Sequence, residues 1–372
     1  MVILQVLPSL HTGGVERGAV EMAEAVARAG GTALVASAGG RMVPLLARAG
    51  AQHVLLPLAT KNPALMLRNA HRLRRLIRTA GVDLVHARSR APAWSALLAA
   101  RRAGVPFVTT FHGAYGEELP GKRLYNSVMA RGDRVIAISR FVAGLVRERH
   151  GVGPDRLRVV PRGVDTATFD PAAIGTGRIV RLAEAWRLPD GVPTVLLPGR
   201  LTRWKGQHVL LDAMALIDRH DAMCVLVGPP QSRRYVADLH AQAARLGLAD
   251  RLRFAGDCDD MPAALMLADA VVHASTRPEA FGRTVVEAQA MGRPVVASDA
   301  GGAVETVRQD VTGWRVPPGD AVALASVLNH MLALPTDERL LHAKRTRAAV
   351  LDTFTTRAMQ DATLGVYREL LG

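Results

Sequence analysis

Residues 277–298 read RPEAFGRTVVEAQAMGRPVVAS, and this stretch predicts a loop, a helix, a tight turn and a buried strand in succession. The apolar run at 271–274 directly before it predicts another strand. A strand, a helix and a second strand are typical of a βαβ unit in a parallel sheet. The loop leads into a helix N-terminus, where free backbone N–H groups suit a phosphate or a sugar hydroxyl.

The same alternation of apolar runs and amphipathic helical stretches continues along the chain. In the first half it predicts strands at residues 2–7, 33–36, 53–56, 84–87, 107–110, 134–138 and 158–161. In the second half it predicts strands at 194–198, 223–227, 252–255, 270–274, 294–298 and 313–316. Residues 170–177 are rich in turn formers and lack periodicity, which indicates a linker. We therefore expect an α/β protein of two facing Rossmann-like, doubly wound domains, with ligands in a cleft between them.

Length and composition agree with two globular domains. The chain has 372 residues, of which 49% are hydrophobic and 22% charged, and this excludes a disordered, collagen-like or disulfide-built protein. No apolar run is long enough to span a membrane, and residues 1–8 are typical of a first strand instead of a signal peptide. Cys224 and Cys258 are too far apart for a C-x-x-C pattern. We interpret them as reduced residues of a cytoplasmic protein.

The positive charge is concentrated in the first half. The whole chain has a net charge of +14, and residues 1–172 hold 24 basic and 11 acidic residues, a net +13. This asymmetry predicts an anionic partner for the first half. Nucleic acid is disfavoured as that partner, because aromatic residues make up only 4% of the chain.

Residues 61–81 form a basic amphipathic segment within that half. Its apolar face is formed by Leu65, Leu73, Leu76 and Ile77, and its cationic flank by Arg68, His71, Arg72, Arg75 and Arg78. Two interpretations stay open. The helix lies on an anionic bilayer, or it packs in its domain with a solvated basic face.

Two carboxylates, Glu279 and Glu287, stand eight positions apart at the strand-loop-helix segment. This E-x7-E pattern resembles that of a retaining glycosyltransferase of family 4 with the GT-B architecture. Three further segments resemble the same family in the same order: GGVE at 13–16, VVPRGVD at 159–165 and GRLTRWKG at 199–206. The resemblance implies a domain at 1–170 that binds the acceptor and a domain at 171–352 that binds a nucleotide sugar. It also implies that a helix at 353–372 packs back on the first domain.

The resemblance assigns roles to individual residues. Glu279 would bind the sugar hydroxyls and Glu287 the ribose, while His112 would orient the transferred sugar. Arg200 and Lys205 would neutralise the diphosphate, which also follows from the affinity of both side chains for phosphate at a strand-to-helix loop. The catalytic residues predicted are His112, Arg200, Lys205 and Glu279. The donor-binding residues predicted are Gly13, Gly14, Arg200, Lys205, Glu279, Phe281, Gly282 and Glu287.

The resemblance implies no cofactor and no metal, and the expected donor is a UDP- or GDP-sugar, with UDP favoured. Asp259 and Asp260 could be mistaken for metal ligands, but we interpret them as the cap of a following helix. Ser139 is likewise interpreted as a helix cap. The pair Gly301-Gly302 is either part of the sugar site or a plain turn.

The sequence departs from the family where many members have a second histidine and an asparagine. Arg88 and Arg162 stand at these positions and add positive charge. We therefore predict transfer of a sugar to an anionic or lipid-linked acceptor in lipopolysaccharide or cell-envelope glycan synthesis. The protein would be cytoplasmic, with a peripheral position on the inner face of the membrane as an option. The alternatives are a nucleotide-sugar epimerase or a phosphorylase on the same fold, or a non-catalytic basic protein that binds membranes or nucleic acid.

Overall fold

The structure of the protein, a computed structural model, describes residues 1–11, 13–117 and 120–372. These residues divide into two units. Unit 1 holds Met1–Pro161 together with Thr356–Gly372, and unit 2 holds Arg162–Thr355. Each unit contains its own β-sheet.

In the described part of unit 1, seven parallel strands form the sheet. They are β1 (Val2–Val6), β2 (Thr32–Ser37), β3 (Gln52–Leu55), β4 (Leu84–Ala87), β5 (Phe107–Phe111), β6 (Arg134–Ala137) and β7 (Leu157–Val159). The helices between them are α1 (Gly14–Arg28), α2 (Val43–Arg48), α3 (Pro63–Thr79), α4 (Arg90–Ala103), α5 (Lys122–Asn126) and α6 (Arg140–His150). The strand order β3-β2-β1-β4-β5-β6-β7 changes direction between β1 and β4. Ligands of open α/β sheets bind at such a point, outside the carboxyl ends of the strands.

Unit 2 repeats this plan. Within residues 162–355, the sheet consists of the parallel strands β8 (Thr194–Pro198), β9 (Met223–Val227), β10 (Leu252–Gly256), β11 (Ala270–His273), β12 (Val295–Ser298) and β13 (Trp314–Val316). Its helices are α7 (Thr176–Ala185), α8 (Gln207–Met214), α9 (Arg233–Arg245), α10 (Met261–Leu267), α11 (Arg283–Ala290), α12 (Ala303–Thr306), α13 (Ala321–Ala333) and α14 (Thr336–Thr353). The strand order β10-β9-β8-β11-β12-β13 changes direction between β8 and β11.

These strands form where the sequence has short apolar runs, because strands of a parallel sheet are covered by helices on both faces. Every residue of β8 and of β9 is buried. The prediction of two Rossmann-like α/β domains is confirmed, and each predicted strand is present with ends shifted by two residues at most.

The last helix of the chain is α15 (Thr356–Leu371), and it belongs to unit 1. The hydroxyl of Tyr367 lies 2.7 Å from Nδ1 of His86 on β4, and both residues are fully buried. Near the end of the helix, Glu369 accepts hydrogen bonds from Arg134 and Arg158 on β6 and β7. Two arginines hold the pKa of Glu369 down at about 2.

The boundary between the units lies between residues 161 and 162, nine residues before the predicted boundary after 170. Residues 162–170 belong to unit 2 because their backbone pairs with its last residues. The N–H of Val164 donates to the carbonyl of Phe354 at 2.8 Å. Arg347 on α14 donates to the carbonyl of Phe169 at 2.9 Å and lies 3.0 Å from Asp170.

Helix α3 packs part of its predicted apolar face inside unit 1, whereas Leu65 of that face is 44% exposed. Leu73 and Ile77 are buried in the core, while Arg68, Arg72 and Arg75 are exposed. For Leu73 and Ile77 this observation favours the second interpretation, packing inside the domain, while the basic face of α3 is exposed. None of the helices in the described residues is long and apolar enough to cross a membrane.

Candidate functional site

The loops after β8, β11 and β12 meet in unit 2, because these three strands are neighbours in the sheet. The N–H of Thr276 after β11 donates to the carbonyl of Trp204 after β8 at 2.8 Å. Gly206 has a φ of +74°, and a side chain there would collide with the carbonyl oxygen of Ala274. A glycine at 206 therefore lets the first two loops approach closely.

Glu279 lies at the centre of the site formed by these loops at the carboxyl edge of the unit 2 sheet. Its Oε1 lies 2.6 Å from Nζ of Lys205 and 2.8 Å from Nε2 of His273, and it also accepts a hydrogen bond from Ser275. The side chains of Lys205 and Glu279 are only 14% and 13% exposed. Three donors thus converge on one carboxylate oxygen, one from the loop after β8 and two from the end of β11 and the loop that follows it, and they fix the orientation of the group.

The charge state of Glu279 follows from these partners. Burial by itself raises the pKa of this carboxyl, but His273 and Lys205 outweigh burial and hold the pKa well below its usual range. The group is therefore an ionised, largely buried carboxylate. In the described residues, no hydrogen bond is made to its other oxygen, Oε2.

The loop after β12 supports Glu279 through its backbone. The N–H of Gly302 donates to the carbonyl of Glu279 at 2.7 Å, and Gly301 and Glu279 form an isolated β-bridge. Gly301 has a φ of +65°, and a side chain there would collide with the carbonyl oxygen of Glu279. The glycine pair is thus more than a plain turn, because it is a contact surface for the Glu279 loop.

Lys205 and Arg200 differ in their surroundings. Lys205 ends a short 3₁₀ turn and lies 4.8 Å from the ring centroid of Trp204 in addition to its contact with Glu279. Arg200 is exposed, and its carbonyl accepts a hydrogen bond from Gln207 at 3.0 Å. Within the described part of the chain, the Arg200 guanidinium makes no ion pair, so it is available to an anion.

Glu287 lies in α11, which begins after Gly282 with its φ of +81°. The Glu287 side chain is buried and lies 2.7 Å from Nε of Arg283, one turn earlier. Phe281 is buried and packs edge-on against Phe354, with ring centroids 5.7 Å apart. Phe281 therefore contributes to the packing of unit 2 beside its predicted role at the donor.

The remaining predicted residues lie in unit 1. Gly13 and Gly14 follow β1 and open α1, and Gly13 has a φ of +139°. His112 follows β5 and is half-buried. Because β1, β4 and β5 are adjacent in the sheet, these residues share its carboxyl edge. Arg88 stands at the same edge after β4, is 3% exposed and donates to the Gln5 side chain at 3.1 Å.

Two predicted helix caps are confirmed. The Ser139 hydroxyl accepts from the N–H of Val142 at 3.0 Å at the start of α6. Asp260 accepts from the N–H of Ala263 at 3.2 Å at the start of α10 and forms an ion pair with Arg178 at 2.6 Å. Asp260 is thus engaged in capping and in an ion pair.

Sequence reasoning missed His273 and Ser275. The sequence contained a signal for both residues. A histidine and a serine follow three apolar residues of β11, at positions where a buried strand favours apolar side chains. They stand two positions apart, so they point to the same face of the strand and its extension. A buried polar pair on that face needs a partner, and Glu279 is the partner.

The chain has two Rossmann-like units, and loops at one sheet edge of unit 2 carry glycine, lysine and glutamate residues. This combination defines the class of GT-B glycosyltransferases. Residues 12–168 match the family model described as Glycosyltransferase Family 4, and residues 181–348 match that of Glycosyl transferases group 1. The chain belongs to this family of glycosyltransferases.

Solved structures agree with this assignment. The chain is 37% identical to a glycosyltransferase from Rickettsia africae ESF-5, with a TM-score of 0.92 over 100% of this chain and 98% of that one. It is 28% identical to Anabaena Alr3699/HepE in complex with UDP and glucose, with a TM-score of 0.85 over the full length of both chains.

A related sequence is the D-inositol 3-phosphate glycosyltransferase of Salinispora tropica. It is 35% identical over 280 residues, which are 69% of this chain and 58% of that enzyme. The chain thus spans less than two thirds of the length of this relative.

Proposed function

We propose that the protein transfers a sugar, with retention of anomeric configuration, from a nucleoside-diphosphate sugar to an anionic or lipid-linked acceptor. One observation carries the proposal: Glu279 is an ionised carboxylate whose Oε1 is held by three donors, while Oε2 has no hydrogen-bond donor in the described residues. A fixed carboxylate with one oxygen available suits sugar hydroxyls, because hydrogen bonds to a charged acceptor are strong.

Glu279 binds the transferred sugar, and Glu287 binds the ribose of the donor. Lys205 and Arg200 face the diphosphate and stabilise the charge that grows on it as the glycosidic bond breaks. Lys205 contacts Glu279 directly, so the same ammonium group lies beside both the transferred sugar and the departing diphosphate. This stabilisation needs no metal ion. A donor phosphate oxygen helps to deprotonate the acceptor hydroxyl, and no side chain acts as a nucleophile.

The other predicted donor contacts belong to the same proposal. Phe281 and Gly282 precede α11 and help to shape the donor site beside Glu287. Gly13 and Gly14 provide backbone at the carboxyl edge of unit 1, and His112 orients the transferred sugar from the same edge.

The donor is proposed to be a UDP-sugar, which is supported by the Anabaena relative solved with UDP and glucose. The acceptor is proposed to carry phosphate or another anionic group. Two observations support this choice: residues 1–172 have a net charge of +13, and the Salinispora relative is named for D-inositol 3-phosphate. A glycan of lipopolysaccharide or of the cell envelope is such an acceptor, and it would place the protein at the inner face of the membrane.

Substitution of Glu279 by glutamine tests the proposal. The matched control is Glu338→Gln, which changes an exposed glutamate on α14. A screen of UDP, GDP and ADP sugars first identifies the UDP-sugar that raises the melting temperature of the wild type. We expect both variants to fold, and we expect Glu279→Gln to lose most of its turnover of that donor. Unchanged turnover by Glu279→Gln would refute the site assignment.

Two further measurements test the mechanism. The product anomer, determined by NMR, tests retention, and transfer in the presence of EDTA tests independence of metals. Donor consumption without any acceptor would instead support an epimerase.

A further inference from the structure

Unit 1 has an apolar groove outside the sheet edge described above. It has a volume of about 710 Å³ and lies between α3, α4 and the segment 122–131. Its lining is mainly apolar and includes Met66, Leu67, Trp94, Leu97 and Leu98. Leu67 is 52% exposed. A large exposed apolar surface on a protein marks a site of interaction.

Two polar side-chain groups in the floor of this groove are satisfied within the protein. The indole N–H of Trp94 donates to the carbonyl of Tyr125 at 3.2 Å. The hydroxyl of Ser95 donates to the carbonyl of Met66 at 2.9 Å and joins α4 to α3. What the groove presents to a ligand is therefore hydrocarbon and aromatic surface, which favours an apolar occupant.

The rim of the groove is cationic. Segments 61–79, 90–103 and 122–131 together carry twelve Lys and Arg and no Asp or Glu. Lys61, Arg101 and Arg131 line the groove itself. Arg101 is paired with Asp133 at 2.8 Å, whereas Arg131 lies over the Trp94 ring at 5.1 Å from its centroid. Exposed Arg68 and Arg72 extend the positive surface along α3.

We propose that this groove and its rim dock onto an anionic phospholipid bilayer, with lipid hydrocarbon entering the groove and lipid phosphates facing the cations. An apolar surface bordered by Lys and Arg fits the boundary between headgroups and acyl chains. A second copy of the chain is disfavoured as the occupant, because two such rims would repel each other. Nucleic acid is disfavoured because the apolar groove would stay uncovered.

This inference rests on the membrane location proposed above and names the surface responsible for it. The proposed surface differs from the apolar face of α3 that the sequence offered for contact with a bilayer, because Leu73 and Ile77 of that face are buried in the core. The surface consists of residues outside the proposed donor site. Vesicle binding is therefore measurable without donor, and the two proposals can fail separately.

The first test is flotation of the full chain with vesicles of phosphatidylglycerol or of phosphatidylcholine. We expect binding to the anionic vesicles only. Leu67→Ser should weaken this binding about tenfold, while Leu340→Ser, which changes a similarly exposed leucine on α14 of unit 2, should leave it unchanged. Lys61→Gln with Arg68→Gln should weaken it about fivefold per residue, and Arg233→Gln with Arg234→Gln should not.

The second test separates insertion from simple charge attraction. Phosphatidylglycerol with brominated acyl chains should quench the tryptophan fluorescence of the wild type, and Trp94→Phe should abolish most of this quenching. No binding of the wild type to anionic vesicles, while a UDP-sugar still raises its melting temperature, would overturn the docking proposal alone. Equal binding by Leu67→Ser and the wild type would overturn it as well, as would concentration-dependent dimerisation that Leu67→Ser abolishes. Salt-sensitive binding to an oligonucleotide without vesicle binding would do the same.

Discussion

The ammonium of Lys205 lies 2.6 Å from Oε1 of Glu279, so the loop after β8 and the loop after β11 are joined by a largely buried ion pair. Neither loop could present its charged residue alone at this depth, because a buried charge without a partner is strongly destabilising. The pair therefore couples the local structure of unit 2 to the charge state of the proposed sugar-binding carboxylate.

Substitution of Lys205 by glutamine is expected to destabilise unit 2 as well as to impair transfer. The change leaves Glu279 ionised with one partner fewer, and breaking a buried pair costs about 3 kcal/mol. Urea unfolding of the two variants Lys205→Gln and Lys344→Gln measures this, since Lys344 is an exposed lysine on α14. Equal free energies of unfolding for the two variants would show that the pair does not stabilise the fold.

His273 is expected to act as a positioning residue for Glu279. Without the contact from its Nε2, the pKa of Glu279 should rise, because one of the groups that stabilise the charged form is lost. Activity needs the ionised carboxylate, so in His273→Leu the acid limb of the pH profile of kcat/KM should move to higher pH.

The controls for this prediction are specific. His273→Gln keeps a donor and should restore part of the profile, whereas His220→Gln changes an exposed histidine and should leave the profile unaltered. A profile of His273→Leu that coincides with that of the wild type would contradict the assigned role.

The secondary structure and the sheet class could be predicted from the sequence because both depend on local patterns. Buried parallel strands require apolar runs, and the runs at 194–198 and 223–227 coincide with β8 and β9. The unit boundary could not be located in the same way. The turn-rich residues 170–177 indicate a boundary after residue 170, but contacts such as Val164 with Phe354 join residues 162–170 to residues almost two hundred positions later.

The candidate site was predictable only in part for the same reason. Glu279 and Lys205 stand in loops with recognisable motifs, but their contact depends on strand order, which places β8 beside β11. The role of the residue pair Gly301-Gly302 was undecided in the sequence, since a turn and a contact surface use the same residues. Only the geometry shows that the space beside Gly301 is filled by the backbone of Glu279.

Gly301→Ala should damage both the fold and the proposed donor site. A left-handed φ disfavours alanine by about 1–2 kcal/mol, and here the added carbon also collides with the Glu279 backbone. Gly319→Ala is the matched control, because Gly319 has a φ of +81° and no atom within 4 Å of an added carbon. Both variants should lower the melting temperature, but only Gly301→Ala should also weaken binding of a UDP-sugar in calorimetry. Equal donor affinity in the two variants would disprove the supporting role.

The stability of the protein should fall as the pH is lowered below 6.5, in part because of His86. This residue is fully buried between Tyr367 and Thr110, with both ring nitrogens 2.7 Å from a hydroxyl, and burial holds its pKa well below 6.5. Below 6.5 the unfolded chain binds a proton that the folded chain does not, so the free energy of unfolding decreases by about 1.4 kcal/mol per pH unit for each such group. Lowered pKa values are also found for other histidines, which add to the dependence of stability on pH: His53, His150, His208 and His342.

His86→Gln should therefore be less stable than the wild type at pH 7.5, yet lose less stability between pH 6.5 and pH 5.5 in urea titrations. Identical slopes for the two proteins would mean that His86 does not stay neutral in the folded state.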